Sequence, residues 1–265
     1  SLHDALPIWA VELVQLLDLC HRHILHLLVG TGASGFAGFG LVPGHHEARR
    51  FQAGRLERGF PGALGNGEAV PDAPRGLLGA GTGLGVSSLV RARSGEWVPI
   101  AGEGGHVTLS PGNAREADIL RVLWQRWPHV SAERVISGMG LENLYTALVE
   151  LSGQYLPPLG AAEISKRALA GQDELCLEAV ETLCVLLGRV AGNLALTLGA
   201  RGGIYLGGGV LGHLSHHLPR SGFRTAFEDK GRFAGFMSRI PTWLIQAEQP
   251  ALRGAAMALG VQPGA

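Results

Sequence analysis

Gly79-Ala80-Gly81-Thr82-Gly83-Leu84-Gly85 is the stretch on which the reading of this chain turns. Glycine at alternate positions lets the backbone bend tightly and lets successive N–H groups point into one concavity, to which the Thr82 hydroxyl adds a donor. Phosphate oxygens are held in this way. A tight hairpin without a ligand accounts for a bare glycine turn equally well, so the neighbouring residues have to decide.

Gly102-Glu103-Gly104-Gly105-His106 places a carboxylate and an imidazole three residues apart on a second flexed turn. The pair can reach adjacent hydroxyls, the carboxylate accepting and the imidazole donating or accepting. The plainer alternatives are an exposed turn carboxylate and a structural histidine. In Ser131-Ala132-Glu133-Arg134, Ser131 reads as an N-cap and Glu133 falls in the first helical turn, where it would either complement the helix dipole or face a ligand. Ile204-Tyr205-Leu206 runs into Gly207-Gly208-Gly209, a glycine turn on a strand–helix junction suited to close approach by the adenosine end of a nucleotide. Phosphate at one end of a cleft and a polyol at the other is the outline of phosphoryl transfer to a sugar.

The surrounding pattern is α/β. Gly76–Gly79 and Val86–Val90 read as strands entering and leaving the first turn, with Trp97–Ala101 and His106–Leu109 continuing an antiparallel series. Helical periodicity follows over 114–126, 139–152, 161–170 and 173–199. The last of these is long and apolar, with Gly188 and Gly192 as close-packing points. A strand at Thr242–Ile245 and a helix over 249–259 complete the alternation, which is the signature of helices packed on a sheet.

Bulk properties narrow the partners. There are 22 basic and 22 acidic residues, so no net charge draws the chain to nucleic acid or an anionic membrane. Lys166 and Lys230 are the only lysines. Cys20, Cys176 and Cys184 lack metal-ligand spacing and are odd in number, which fits a reducing cytoplasm. Residues 8–28 have helix-like apolar spacing, whereas Ile24–Val42 is uncharged but too rich in glycine for a lipid-facing helix. From Pro43 to Pro74 the chain is rich in Arg, Gly and Pro and reads as loop. Gly30-Thr31-Gly32-Ala33-Ser34-Gly35 matches a dinucleotide fingerprint, but such a site needs an acidic residue about 20 positions on. Arg49, Arg50, Phe51 and Gln52 stand there instead, so an NAD-dependent oxidoreductase is the weakest of the functional readings.

Residues 65–260 resemble the bacterial, ATP-dependent glucokinase family of the hexokinase-like superfamily. The matching strings are Gly79–Val86, Gly102–Val107, His129–Val135 with Ser137-Gly138, Gly192–Leu196, Gly203–Gly209 and Ser221–Phe233, in one order. The resemblance implies a two-domain protein with a ribonuclease-H-like core and a cleft that closes on glucose, usually as a homodimer. It implies that Glu103, His106 and Glu133 bind the sugar. Gly79, Ala80, Gly81, Thr82, Gly83 and Gly85 would hold the phosphates of ATP, with Mg2+ on the phosphates and water. Gly207, Gly208 and Gly209 would lie near the adenosine. The charges of Ser221–Phe233 (Arg224, Glu228, Asp229, Lys230, Arg232) are expected in a solvated or interface network.

The chain departs from this pattern at its start. The family carries an Asp-x-Gly-Gly-Thr-Asn phosphate loop in its small domain and an Asn-Asp-Phe segment whose aspartate takes the proton of the sugar's 6-hydroxyl. Neither string occurs, and residues 44–52 read Gly-His-His-Glu-Ala-Arg-Arg-Phe-Gln. No motif nominates His45, His46 or Glu47 as a base, so no catalytic residue is assigned. The expectation is an atypical segment over 1–62, not authentic family sequence, joined to a glucokinase-like large domain over 63–265. A non-catalytic sugar-binding domain is the alternative.

Overall fold

The structure is a computed structural model that describes residues 62–246. Five strands form one mixed sheet: β1 (Arg75–Ala80), β2 (Leu84–Arg91), β3 (Trp97–Gly102), β4 (Ile204–Gly207) and β5 (Thr242–Leu244). Their order is β3-β2-β1-β4-β5. β1, β2 and β3 form an antiparallel meander, while β4 lies parallel to β1 and β5 parallel to β4. Residues 62–64 run beside β5, where the Leu64 amide donates to the Thr242 carbonyl at 2.8 Å and the Leu244 amide to the Gly62 carbonyl at 2.7 Å.

Between β3 and β4 the chain builds four helices: α1 (Ala114–Trp124), α2 (Gly138–Ser152), α3 (Ala161–Leu169) and α4 (Glu174–Leu198). The 25-residue α4 starts where the Asp173 carboxylate accepts from the Cys176 amide and stops at Gly199, whose φ of 61° only glycine adopts freely. Its buried residues Cys176, Val180, Leu183, Leu187, Val190 and Ala191 recur at helical spacing and face the main core. Burying each such leucine contributes about 2 kcal/mol before entropy is counted. Gly188 and Gly192 are close-packing points, as their spacing suggests. A Cβ at Gly188 would lie 2.2 Å from the Phe223 carbonyl oxygen, and one at Gly192 would lie 2.7 Å from that of Phe227. That approach seats α6 (Phe223–Glu228), reached after the short α5 (Gly209–His213), against the middle of α4. A last turn, α7 (Ala234–Met237), leads to β5.

The sheet is two-faced, as period-2 strands require. Leu78, Ala80, Leu206 and Leu244 join the helix-covered core, while Leu77, Leu89, Tyr205 and Trp243 form a smaller cluster on the other side. There the Tyr205 and Trp243 rings stack at 4.6 Å.

One expectation needs correction and another is met in part. His106–Leu109 is not a strand: Gly104–His106 is a 3-10 turn, followed by a single bridge from Thr108 to Ser131. The Gly104-Gly105 pair is the cause, because a Cβ at Gly105 would lie 2.0 Å from the Leu84 carbonyl oxygen. The chain is pressed onto β2 and turns there instead of extending. Within Ser221–Phe233 the charges divide: Asp229 and Arg232 are exposed, Asp229 pairing with Arg189, whereas Arg224 turns inward. Phe223 and Phe227 are fully buried, and the Arg224 guanidinium donates to the carbonyls of Ile240 (2.9 Å) and Ser238 (3.0 Å) and to Thr242 Oγ1 (3.1 Å). Glu228 Oε1 accepts from Arg224 Nε at 2.5 Å. Burial lowers the Arg224 pKa, with Glu228 opposing the shift. The segment fastens β5 and the chain leading into it to the helices.

The segment 1–61 lies outside the described residues, and with it the glycine fingerprint at 30–35. So does the helix expected over 249–259.

Candidate functional site

β1 and β4 are neighbouring parallel strands in register Gly79↔Gly207, so both glycine turns leave the sheet at the carboxyl ends of adjacent strands. In open α/β sheets that edge is where ligands meet the backbone. The first turn is closed by the Gly81 amide donating to the Gly83 carbonyl at 2.9 Å. Thr82 is exposed at its tip. A Cβ added at Gly81 would meet no protein atom within 4 Å, and the same is true at Gly209. The two turns therefore present bare backbone with open space above it. Gly208 differs: at φ 101°, it is packed so closely on β1 that a Cβ would lie 2.2 Å from the Ala80 carbonyl oxygen.

Leu84, in the glycine run and the first residue of β2, is where the remaining groups meet. Its amide donates to Glu133 Oε2 at 2.9 Å across 49 residues of sequence. Its carbonyl lies under Gly105, in the turn that carries Glu103 and His106. Glu103 itself makes a bridge with Val86, two residues further along β2. The His106 Nε2 and Glu103 Oε2 atoms are 3.9 Å apart, with side chains 61% and 73% exposed. Such an exposed pair adds little stability. Hence Glu103, His106 and Glu133 all lie around one end of β2, directly after the glycine turn.

Glu133 does not follow the dipole reading, because its carboxylate turns to the Leu84 amide. It sits in a 3-10 turn, Ala132–Arg134, for which Ser131 supplies no side-chain cap bond. The segment is tied to the 103–109 chain by the Ala132 amide donating to the Val107 carbonyl and the Leu109 amide donating to the Val130 carbonyl, each at 3.0 Å. The cap is Ser137: it accepts from the Gly140 amide and starts α2. Sequence reasoning assigned no role to Ser137. Its signal was present, a serine directly before a long apolar helix.

Glu116 on α1 and Arg189 on α4 form an ion pair largely shielded from solvent. Glu116, 5% exposed, accepts from the Gly112 amide at 2.6 Å and from Asn113 Nδ2 at 2.7 Å. Arg189 on α4 donates to Glu116 at 3.2 Å and to Asp229 at 3.2 Å. Among the described residues no group of three or more His, Cys, Asp or Glu is arranged to hold a metal ion. No helix among them is long and apolar enough to cross a membrane.

The mixed sheet thus brings two bare glycine turns to the ends of paired parallel strands, with acidic and imidazole groups beside the first. The chain belongs to the glucokinase family, whose profile matches residues 52–262. It is 50% identical over 202 residues to the glucokinase of Chromobacterium violaceum, a match covering 76% of this chain and 58% of that protein. Against the glucokinase of Aromatoleum aromaticum the identity is 51% over 207 residues, covering 77% and 62%. A crystal structure of glucokinase from an Antarctic psychrotroph matches with a TM-score of 0.70 at 35% identity, over 75% of this chain and 61% of that one. A glucokinase from Balamuthia mandrillaris, solved in complex with glucose, matches with a TM-score of 0.61 at 25% identity, over 71% and 54%. The chain spans about three-fifths of the length of the curated relatives it matches.

Proposed function

We propose that this chain is the large-domain part of a glucokinase, binding ATP on its two glycine turns and glucose beside Glu103, His106 and Glu133. The observation that carries the reading is the meeting at Leu84, where the phosphate-type turn, the Glu133 carboxylate and the Glu103–His106 turn come together.

In the reaction proposed, the 6-hydroxyl oxygen of glucose attacks the γ-phosphorus of ATP and the bond to the β,γ-bridging oxygen breaks. ADP leaves, and the hydroxyl proton passes to a base. This chemistry depends on positioning and on stabilising phosphate charge. Amides of Gly79–Gly85 and the Thr82 hydroxyl would hold phosphate oxygens. Gly207–Gly209 would admit the adenosine. Glu103 and Glu133 would accept from ring hydroxyls, and His106 would donate or accept. Mg2+ would arrive on the nucleotide, neutralising phosphate charge, with phosphate oxygens and water as its ligands. The exposed Thr82 hydroxyl and bare backbone suit that arrangement better than a protein cage.

The base is a separate matter. The family string that carries it has no counterpart in this chain, and residues 1–62 lack the family's small-domain phosphate loop. Binding is therefore proposed to be retained and turnover to be impaired. The full family protein is proposed to act as a cytoplasmic homodimer.

The test is coupled glucose phosphorylation by this chain beside a version whose residues 1–62 are replaced by a family-type small domain, with glucose binding followed by calorimetry. The reading expects glucose binding by both and strong ADP production only by the second. Failure of both to bind glucose would refute it.

A further inference from the structure

Ser137 and Gly138 touch both halves of the proposed site. Ser137 is 1% exposed; its Oγ donates to the Glu133 carbonyl at 2.9 Å and accepts from the Gly140 amide at 2.9 Å. The next amide, that of Gly138, donates to the Gly81 carbonyl at 2.8 Å, inside the glycine turn. From the other end of that turn the Leu84 amide returns to Glu133 Oε2. The path Gly81–Leu84–Glu133–Ser137–Gly138 and back to Gly81 is thus a closed ring, covalent along two segments and hydrogen-bonded between them. Gly140 tightens it, since a Cβ there would lie 2.4 Å from the carbonyl carbon of Val135, so the start of α2 is pressed onto the segment bearing Glu133.

We propose that Ser137 is a positioning residue that couples the Glu133 carboxylate to the phosphate turn, so that nucleotide and sugar bind cooperatively. The identity of the two ligands rests on the reading given under Proposed function; the mechanical coupling does not. A nucleotide that orders Gly81–Gly83 also fixes the Leu84 amide. That amide holds one oxygen of Glu133, and the other would accept from a sugar hydroxyl. Ser137 holds the backbone of Glu133 while its neighbour holds Gly81, so the carboxylate and the turn move as a unit. Linkage is reciprocal: whatever factor nucleotide imposes on glucose affinity, glucose imposes on nucleotide affinity.

Two measurements test this. The first needs no ligand: amide hydrogen exchange resolved by NMR in the unaltered chain, Ser137→Ala, Ser137→Thr and Glu133→Ala. Ser137→Ala removes the partner of the Gly140 amide directly. The coupling predicts faster exchange at Gly138 and Leu84 as well, with Ser137→Thr restoring protection. Glu133→Ala, at a half-buried surface position, should likewise accelerate Gly138 as well as Leu84. Effects confined to Gly140 in one variant and to Leu84 in the other would overturn the proposal. The second is calorimetric titration with glucose, with and without saturating AMPPNP. The unaltered chain should show glucose affinity raised roughly tenfold by the nucleotide analogue, and Ser137→Ala should bind both with that factor near one. Binding of both without linkage in the unaltered chain would overturn cooperativity and leave the functional reading standing. Binding of neither would overturn the functional reading and cooperativity together, and the exchange data would still decide whether the ring is coupled.

Discussion

Gly208 rests on Ala80: with φ at 101°, a Cβ at position 208 would lie 2.2 Å from the Ala80 carbonyl oxygen. The second glycine turn is therefore floored by the strand that leads into the first. Gly208→Ala combines a strained backbone with a clash against main chain that cannot swing aside, and should cost roughly 3 kcal/mol. Gly209→Ala, with nothing within 4 Å of its added methyl, should be close to neutral. Urea unfolding midpoints of the two variants measure the contrast, and equal losses would contradict it.

Gly81 separates folding from binding. No positive φ restrains it and no atom lies within 4 Å of an added Cβ, so Gly81→Ala should leave the unfolding midpoint unchanged. The methyl would nevertheless stand in the space proposed for a phosphate. Affinity for AMPPNP by calorimetry should drop about tenfold, roughly 1.4 kcal/mol. Undiminished affinity would move the phosphate site elsewhere.

Arg189 neutralises a buried carboxylate. With the side chain of Glu116 5% exposed and that of Arg189 16%, Arg189→Ala leaves Glu116 charged and short of its cation. Breaking a buried pair from one side costs about 3 kcal/mol. Arg189→Lys should lose less than Arg189→Ala, because it keeps a cation beside the carboxylate. Chemical denaturation of the two variants checks this, and equal losses would contradict it.

Burial on α4 pushes the Cys184 thiol from 9.0 up to about 12, against a weaker opposing hydrogen bond with Ser221. At about pH 9 the folded thiol stays almost wholly neutral. Iodoacetamide should therefore leave Cys184 unmodified in the folded chain and alkylate it in urea, as read by peptide mass spectrometry. The raised value fixes the sign of the pH effect. The folded chain favours the neutral thiol, so this contribution is whole below 9.0 and is lost as pH rises towards about 12.

Much of this structure was legible beforehand where local chemistry and tertiary packing agree. The glycine turn at 79–85 and the strands flanking it are legible because alternating glycines leave few options for the backbone. The long helix ending near Gly199 and its two packing glycines were read from periodicity alone. Residue type and the family resemblance together single out Glu103, His106 and Glu133, and all three lie around the end of β2. What stayed hidden depended on contacts distant in sequence. Nothing near Arg224 announces that its guanidinium will be enclosed by the carbonyls of Ser238 and Ile240. Gly105 reads in the sequence as part of a flexed turn, but its close contact with Leu84 does not. Ser137 carried a visible cap signal, but the Gly138–Gly81 bond beside it exists only once two segments far apart in sequence have packed together.

The two turns and the three polar side chains are proposed to serve one pair of ligands. Amide chemical-shift mapping of the chain with AMPPNP, then with glucose, tests this most directly. The prediction is that AMPPNP perturbs Gly81–Leu84 and 207–209, that glucose perturbs 103–106 and Glu133, and that both sets include Leu84. Glucose shifts on a surface remote from Leu84, or none with either ligand, would contradict it.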